Sequence, residues 1–137
     1  MKRQHVLVVD DEAPMREFYR LFFERLLADE FEAVIVPDAE QALGVLRSEP
    51  VDLLILDWGL PGISGANLAK ALRAEVKTRT LGILMVTAKS TLGEEITALE
   101  SGADDHLAKP FDEKVLQARL RSLSRRRGNS LDRQQSG

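Results

Sequence analysis

At 137 residues and 44% hydrophobic composition, the chain supports one ordinary globular core and is short for two. It contains no cysteine, which excludes a disulfide framework, thiolate metal ligation and a cysteine nucleophile, so any chemistry must come from oxygen and nitrogen groups. A net charge of −3 hides an asymmetry, because residues 119–137 carry six arginines against one aspartate and leave an acidic body with a basic end.

The opening, MKRQHVLVVDDE, holds only the four apolar residues Val6 to Val9 before an acidic run. That is too short for a signal-peptide core or a membrane span, and the protein is read as soluble and cytoplasmic, with no membrane contact. Val6 to Val9 is the first of five short apolar runs. Pro14 to Leu27 follows as a helix, with proline in its first turn and Phe18, Leu21, Phe22 and Leu26 at helical spacing. Ala33 to Val36 is the second run, and Ala39 to Leu46 the second helix, with Asp38 as its N-cap. Val51 to Leu56 precedes a helix over Ser64 to Val76. Leu81 to Val86 precedes one over Leu92 to Leu99 that ends at a capping Gly102.

A weaker fifth run, Ala103 to Ala108, leads into a helix starting near Asp112 and fading between Arg125 and Gly128. Near-continuous Val, Ile and Leu marks strands buried on both faces, hence a parallel sheet covered by helices. The alternation βαβαβαβαβα predicts an α/β fold, a doubly wound (βα)5 flavodoxin-like sandwich with five parallel strands and helices on both faces. Residues 1–126 form the expected domain, and 127–137 a disordered polar tail or the start of a linker. The arginines are read as cations at a helix C-terminus, with no direct nucleic-acid binding by this domain.

In such sheets, reactive groups gather at the carboxyl ends of the strands. Here the runs deliver Asp10 and Asp11, Asp57, Thr87 and Lys109. Three carboxylates at one rim repel one another unless a cation or protons intervene. Mg²⁺ fits oxygen donors, whereas converging histidines for zinc and a DxDxDG loop for calcium are missing. A lysine, a small hydroxyl and a nucleophilic carboxylate beside a metal suit a phosphoryl group. Singly, each residue has an ordinary reading as a helix cap, a strand residue or a solvated cation.

The strings VLVVDDE, DLLILDWGLPGISG, ILMVTAKS and GADDHLAKPF, in that order, resemble the four signature blocks of response-regulator receiver domains across about residues 5–123. The resemblance implies that Asp57 is the phosphoacceptor for a sensor histidine kinase or phosphotransfer protein. It further implies that Asp10, Asp11, Asp57 and the Gly59 backbone carbonyl hold Mg²⁺, with Asp11 the more direct ligand and Asp10 acting through water. Thr87 would be the switch hydroxyl and Lys109 the counter-charge, with a cis Lys109-Pro110 bond, and Pro61, Gly62 and Gly65 would shape the loop after Asp57.

Three departures accompany the resemblance. His106 stands where the family usually places a switching Tyr or Phe, and Gly59 and Lys89 occupy positions that tune phosphoryl lifetime. A homodimer through the fourth helix, fifth strand and fifth helix matches a family branch at Trp58, Glu100, Asp105, Arg119 and Arg121. However, Glu95 and Val115 break its usual ion pairing, so the pairing stays open. A domain that catalyses only its own phosphorylation and dephosphorylation is not an enzyme in the turnover sense. The alternatives are a phosphohydrolase of the haloacid dehalogenase type, which needs an acid/base Asp two residues after its nucleophile, where Gly59 follows Asp57 and Glu12 follows Asp10, and a pseudo-receiver acting only as an interaction module.

Overall fold

The computed structural model describes residues 3–88 and 92–136, apart from the side chains of Glu94, Glu95 and residues 128–136. Lys89 and the Glu95 side chain therefore lie outside the described residues. The chain alternates as β1 (Gln4–Val9), α1 (Ala13–Leu26), β2 (Phe31–Val36), α2 (Ala39–Ser48), β3 (Leu53–Asp57), α3 (Gly65–Ala74), β4 (Gly82–Thr87), α4 (Leu92–Glu100), β5 (Asp105–Ala108) and α5 (Glu113–Ser136). The strands form one parallel sheet in the order β2-β1-β3-β4-β5. Connections leave β1 in one direction and β3 in the other, so a crevice opens between those two strands at their carboxyl ends.

The apolar runs are continuous because each strand supplies both layers. Leu7, Val9, Leu54, Leu56, Ile83 and Met85 face α2, α3 and Ala98 of α4. Val6, Val8, Leu53, Ile55, Leu84, Val86 and Leu107 face α1 and α5, where Tyr19, Phe22, Phe23, Leu116 and Leu120 close the layer. Truncating one of these buried leucines to alanine costs about 2–5 kcal/mol, a large share of a small domain's stability.

Local signals place the helix ends. Asp38 caps α2 by accepting the Gln41 N–H at 2.8 Å, and Ser64 caps α3 by accepting the Asn67 N–H at 3.1 Å. Gly102, at φ +116°, ends α4 with paired returns from its own N–H to Leu99 O and from the Ala103 N–H to Ala98 O. This left-handed turn satisfies the last carbonyls and favours glycine.

The last helix differs from the sequence expectation. α5 runs through Ser136, so the stretch from 127 expected as a disordered tail has helical backbone up to that point. No proline interrupts it. Extending an existing helix fixes one residue per added hydrogen bond, which makes a polar continuation inexpensive despite Gly128.

Candidate functional site

Four strand ends converge at one rim. β1 leads into Asp10, Asp11 and Glu12; β3 ends at Asp57, β4 at Thr87, and β5 leads into Lys109. The strands are parallel and in register, with Asp57 opposite Val86 and Thr87 opposite Ala108, so residues far apart in sequence arrive at one level. Asp10, Asp11, Glu12 and Asp57 can each present a carboxylate oxygen within 4.8 Å of the others. Asp10 and Asp57 are buried, whereas Asp11 and Glu12 are exposed.

Lys109 ties the acids together. Its Nζ lies 2.9 Å from Asp10 Oδ2, 3.7 Å from Glu12 Oε1 and 3.8 Å from Asp57 Oδ2. The Lys109 N–H donates to Thr87 O at 2.7 Å, which locks the β5 end against β4, and the following Lys109-Pro110 bond is cis as expected. Asp10 is fully engaged: Oδ1 accepts the Glu12 N–H at 2.9 Å, and its backbone carbonyl accepts from Arg16 Nη1 at 3.1 Å. Asp57 is held more loosely, with Oδ1 accepting the Gly59 N–H at 3.3 Å and Oδ2 facing Lys109 from beyond hydrogen-bond range.

These surroundings perturb the protonation of the cluster. Burial pushes the Asp57 carboxyl above its ordinary range; Lys109 opposes this, the charges of Asp10 and Asp11 add to it, and the Gly59 N–H resists it. Burial would lower the Lys109 ammonium, but the Asp10 hydrogen bond and the charges of Asp10, Asp57 and Glu12 together raise it. Tyr19 is buried nearby, and burial together with Asp10 and Asp57 pushes its phenol far above the usual value. The result is a negative cradle in which Lys109 is the ammonium paired to the acids among the described residues. Oxygen donors alone, with a raised carboxyl that a divalent cation would relieve, suit Mg²⁺ rather than zinc.

The loop after Asp57 shows which glycines matter. Gly62 adopts φ +85°, where side chains are disfavoured. Gly65 is required for a different reason: a Cβ there would sit 2.6 Å from Asp57 O and 2.9 Å from both Trp58 Cα and Met85 Sδ. Nothing lies within 4 Å of a Cβ at Gly59, so any role there belongs to its backbone.

His106 lies beside Met85 in the β4–β5 ladder. Strand alternation puts it on the same sheet face as Thr87, opposite Leu107. Its Nε2 is buried and has no hydrogen-bond partner among the described residues. Of the residues matched to the dimer-forming branch, Arg119 pairs with Asp105 at 3.0 Å within the chain, and Arg121 pairs with Glu30 at 3.1 Å. Val115 is exposed. Glu12, Arg16 and Tyr19 join the site although the sequence reading did not place them there. The third acid of the DDE run was the available signal for Glu12, while Arg16 and Tyr19 depend on how α1 docks.

Residues 6–121 match the family model for the response regulator receiver domain. The chain is 41% identical over 123 residues to the phosphate regulon transcriptional regulatory protein PhoB of Pseudomonas aeruginosa, covering 90% of this chain and 52% of that protein. It is 40% identical over 124 residues to the DNA-binding response regulator MtrA of Mycobacterium leprae, with shares of 90% and 52%. The chain thus spans about half the length of these relatives. Among solved structures, the receiver domain of a Francisella response regulator superposes with a TM-score of 0.79 at 27% identity, covering 90% of this chain and 98% of that one. The receiver domain of a sensor histidine kinase from Pseudomonas aeruginosa, crystallised with a magnesium ion coordinated in its active-site cleft, gives a TM-score of 0.77 at 28% identity, covering 93% and 99%.

Proposed function

The chain belongs to the response regulator receiver domain family of two-component signalling, and on that footing we propose that Asp57 accepts a phosphoryl group and that the resulting change is read out at the protein surface. The observation that carries this reading is the arrangement of Asp57 Oδ2, which faces Lys109 at 3.8 Å among three further carboxylates. A carboxylate so placed can attack phosphorus in line with a leaving group. The donor is a phosphohistidine on a sensor kinase or phosphotransfer protein: its P–N bond breaks as the Asp57 O–P bond forms, and the imidazole leaves with a proton from solvent.

Asp11, Asp57 and the Gly59 carbonyl would hold Mg²⁺ directly, while Asp10, whose two oxygens already accept from Glu12 and Lys109, would act through water. Bound there, the cation neutralises phosphoryl oxygens and relieves repulsion among the acids. Lys109 Nζ lies 3.8 Å from the Asp57 tip, so it can follow the new charge. Thr87, at the same level on the neighbouring strand, supplies the hydroxyl that turns toward the phosphoryl group, and His106 shares its face as the second switch position.

Phosphorylation then shifts a population between two arrangements of that face. Residues 1–126 form the receiver unit. A homodimer through α4, β5 and α5 remains compatible with this reading, although Arg119 is already paired within the chain. The domain acts on its own aspartate and turns over no free substrate, because Gly59 stands where a phosphohydrolase would place its acid/base carboxylate.

Intact-mass measurement after incubation with acetyl phosphate and Mg²⁺ tests the proposal. Wild type gains one phosphoryl group and Asp57→Asn gains none. An unmodified wild type would leave only a pseudo-receiver, and sustained release of phosphate from a generic phosphomonoester would make the protein a hydrolase.

A further inference from the structure

The start of α1 departs from ordinary helix chemistry. Glu12 occupies the N-cap with extended backbone at φ −91° and ψ 119°, yet its side chain caps nothing. Serine, threonine, aspartate and asparagine are favoured at this position because a short side chain can bend back to a free N–H, and losing that bond costs about 1 kcal/mol. Glu12 forgoes it. Its longer side chain instead crosses to the acid cluster and brings Oε1 to 3.7 Å from Lys109 Nζ.

The three acceptors around Lys109 are not equivalent. Asp10 is held at 2.9 Å and is buried, and Asp57 is buried at 3.8 Å, whereas the Glu12 side chain is 60% exposed. Glu12 and Asp57 thus stand at nearly equal distances from the ammonium, and Glu12 is the one free to leave. Withdrawing into water costs an exposed carboxylate little.

We propose that Glu12 is a positioning residue that shares Lys109 with Asp57 in the unphosphorylated domain. The proposal rests on the phosphoacceptor reading above. By drawing on the ammonium, Glu12 keeps Lys109 from closing onto the empty Asp57 carboxylate, and its own charge deepens the field for a divalent cation. When Asp57 gains a phosphoryl group, the charge at its tip grows, Lys109 moves to it, and Glu12 is released to solvent. The absent N-cap bond is the stability cost of this arrangement.

Two variants separate this role from a merely structural one. Glu12→Gln keeps the reach and removes the charge; Glu12→Ser removes the reach and restores an N-cap hydroxyl. Mg²⁺ is titrated into the unphosphorylated domain while following the emission of the single tryptophan, Trp58, which directly follows Asp57. Melting is recorded separately in metal-free buffer. Both variants are expected to weaken Mg²⁺ binding by about three- to tenfold, as loss of one nearby screened charge predicts. Glu12→Ser does so while melting at a higher temperature than wild type, and Glu12→Gln melts unchanged. A helix-end role alone would move the melting point and leave Mg²⁺ affinity at the wild-type value in both variants, and that result overturns the proposal. Failure of wild type itself to bind Mg²⁺ would overturn the phosphoacceptor reading along with it, so the two failures are distinguishable.

Discussion

Asp57 is buried among like charges with Lys109 as the opposing ammonium, and this sets how its ionisation enters stability. Its carboxyl is raised in the folded state, chiefly by burial, so the folded protein holds that proton more tightly than the unfolded chain does. Stability from this group is therefore greatest in acid and is lost as pH rises through the folded value. In metal-free buffer near neutral pH, Asp57→Asn should therefore be more stable than wild type. The gap should close as pH falls below the usual aspartate range. Denaturant titrations at several pH values check this; an advantage that grew toward acid would contradict the sign.

His106 allows a second test at the same scale. A buried unsatisfied polar atom costs about 1–3 kcal/mol, so His106→Phe, which removes the orphaned Nε2, is expected to raise the midpoint of urea unfolding. If His106 also gates the output face, the same variant alters partner binding with a phosphoryl mimic at Asp57. Unchanged binding both with and without the mimic would confine His106 to a packing role. The reactive residues were legible in the sequence because each follows a run of β-formers, and a parallel sheet sends all such ends to one rim. Glu12 was less legible, since its part depends on a side chain bypassing the helix end it should cap.

Among the elements, the connection from β3 to α3 is the most constrained. α3 begins so close to the end of β3 that Gly65 touches the backbone of both Asp57 and Trp58, and its N–H donates to Trp58 O at 2.9 Å. Backbone cannot yield as a flexible side chain can. Gly65→Ala should cost about 2 kcal/mol or more through overpacking and shift the emission of Trp58. Gly59→Ala, in open space, should stay within about 0.5 kcal/mol of wild type. Thermal melts of the two variants side by side provide the check, and equal losses would refute the distinction. Sequence pattern located every strand and helix because hydrophobic period and caps are local properties. It stopped α5 early because polar helix propagation leaves no apolar stripe to detect.

Across the whole molecule, the two rims of the sheet use charge differently. The carboxyl rim gathers a cluster of acids around Lys109, while at the opposite rim arginines pair with acids and backbone carbonyls. Arg127 of α5 donates to Thr80 O and lies 3.5 Å from Asp52, whose carboxylate also accepts the His5 N–H at 2.8 Å. The basic end is thus partly spent inside the domain. Arg73 does more. From the last turn of α3 it donates to the carbonyls of Gly102, Arg79 and Leu81 and to Asp104 Oδ2, which in turn accepts the Ile83 N–H at 2.7 Å. No periodicity could reveal this, because the guanidinium joins segments that are distant in sequence.

That guanidinium gives α4 a fulcrum. The helix is tethered at its Gly102 end through Arg73, while Ala98 is its one buried side chain among those described, and Leu92, Ile96 and Leu99 stand in solvent. A rod held at one end pivots more readily than it slides, so its leading turn around Leu92 has more freedom than its trailing turn at Gly102. Arg73→Ala would release that hold, and the trailing turn should then exchange its amide protons faster than in wild type.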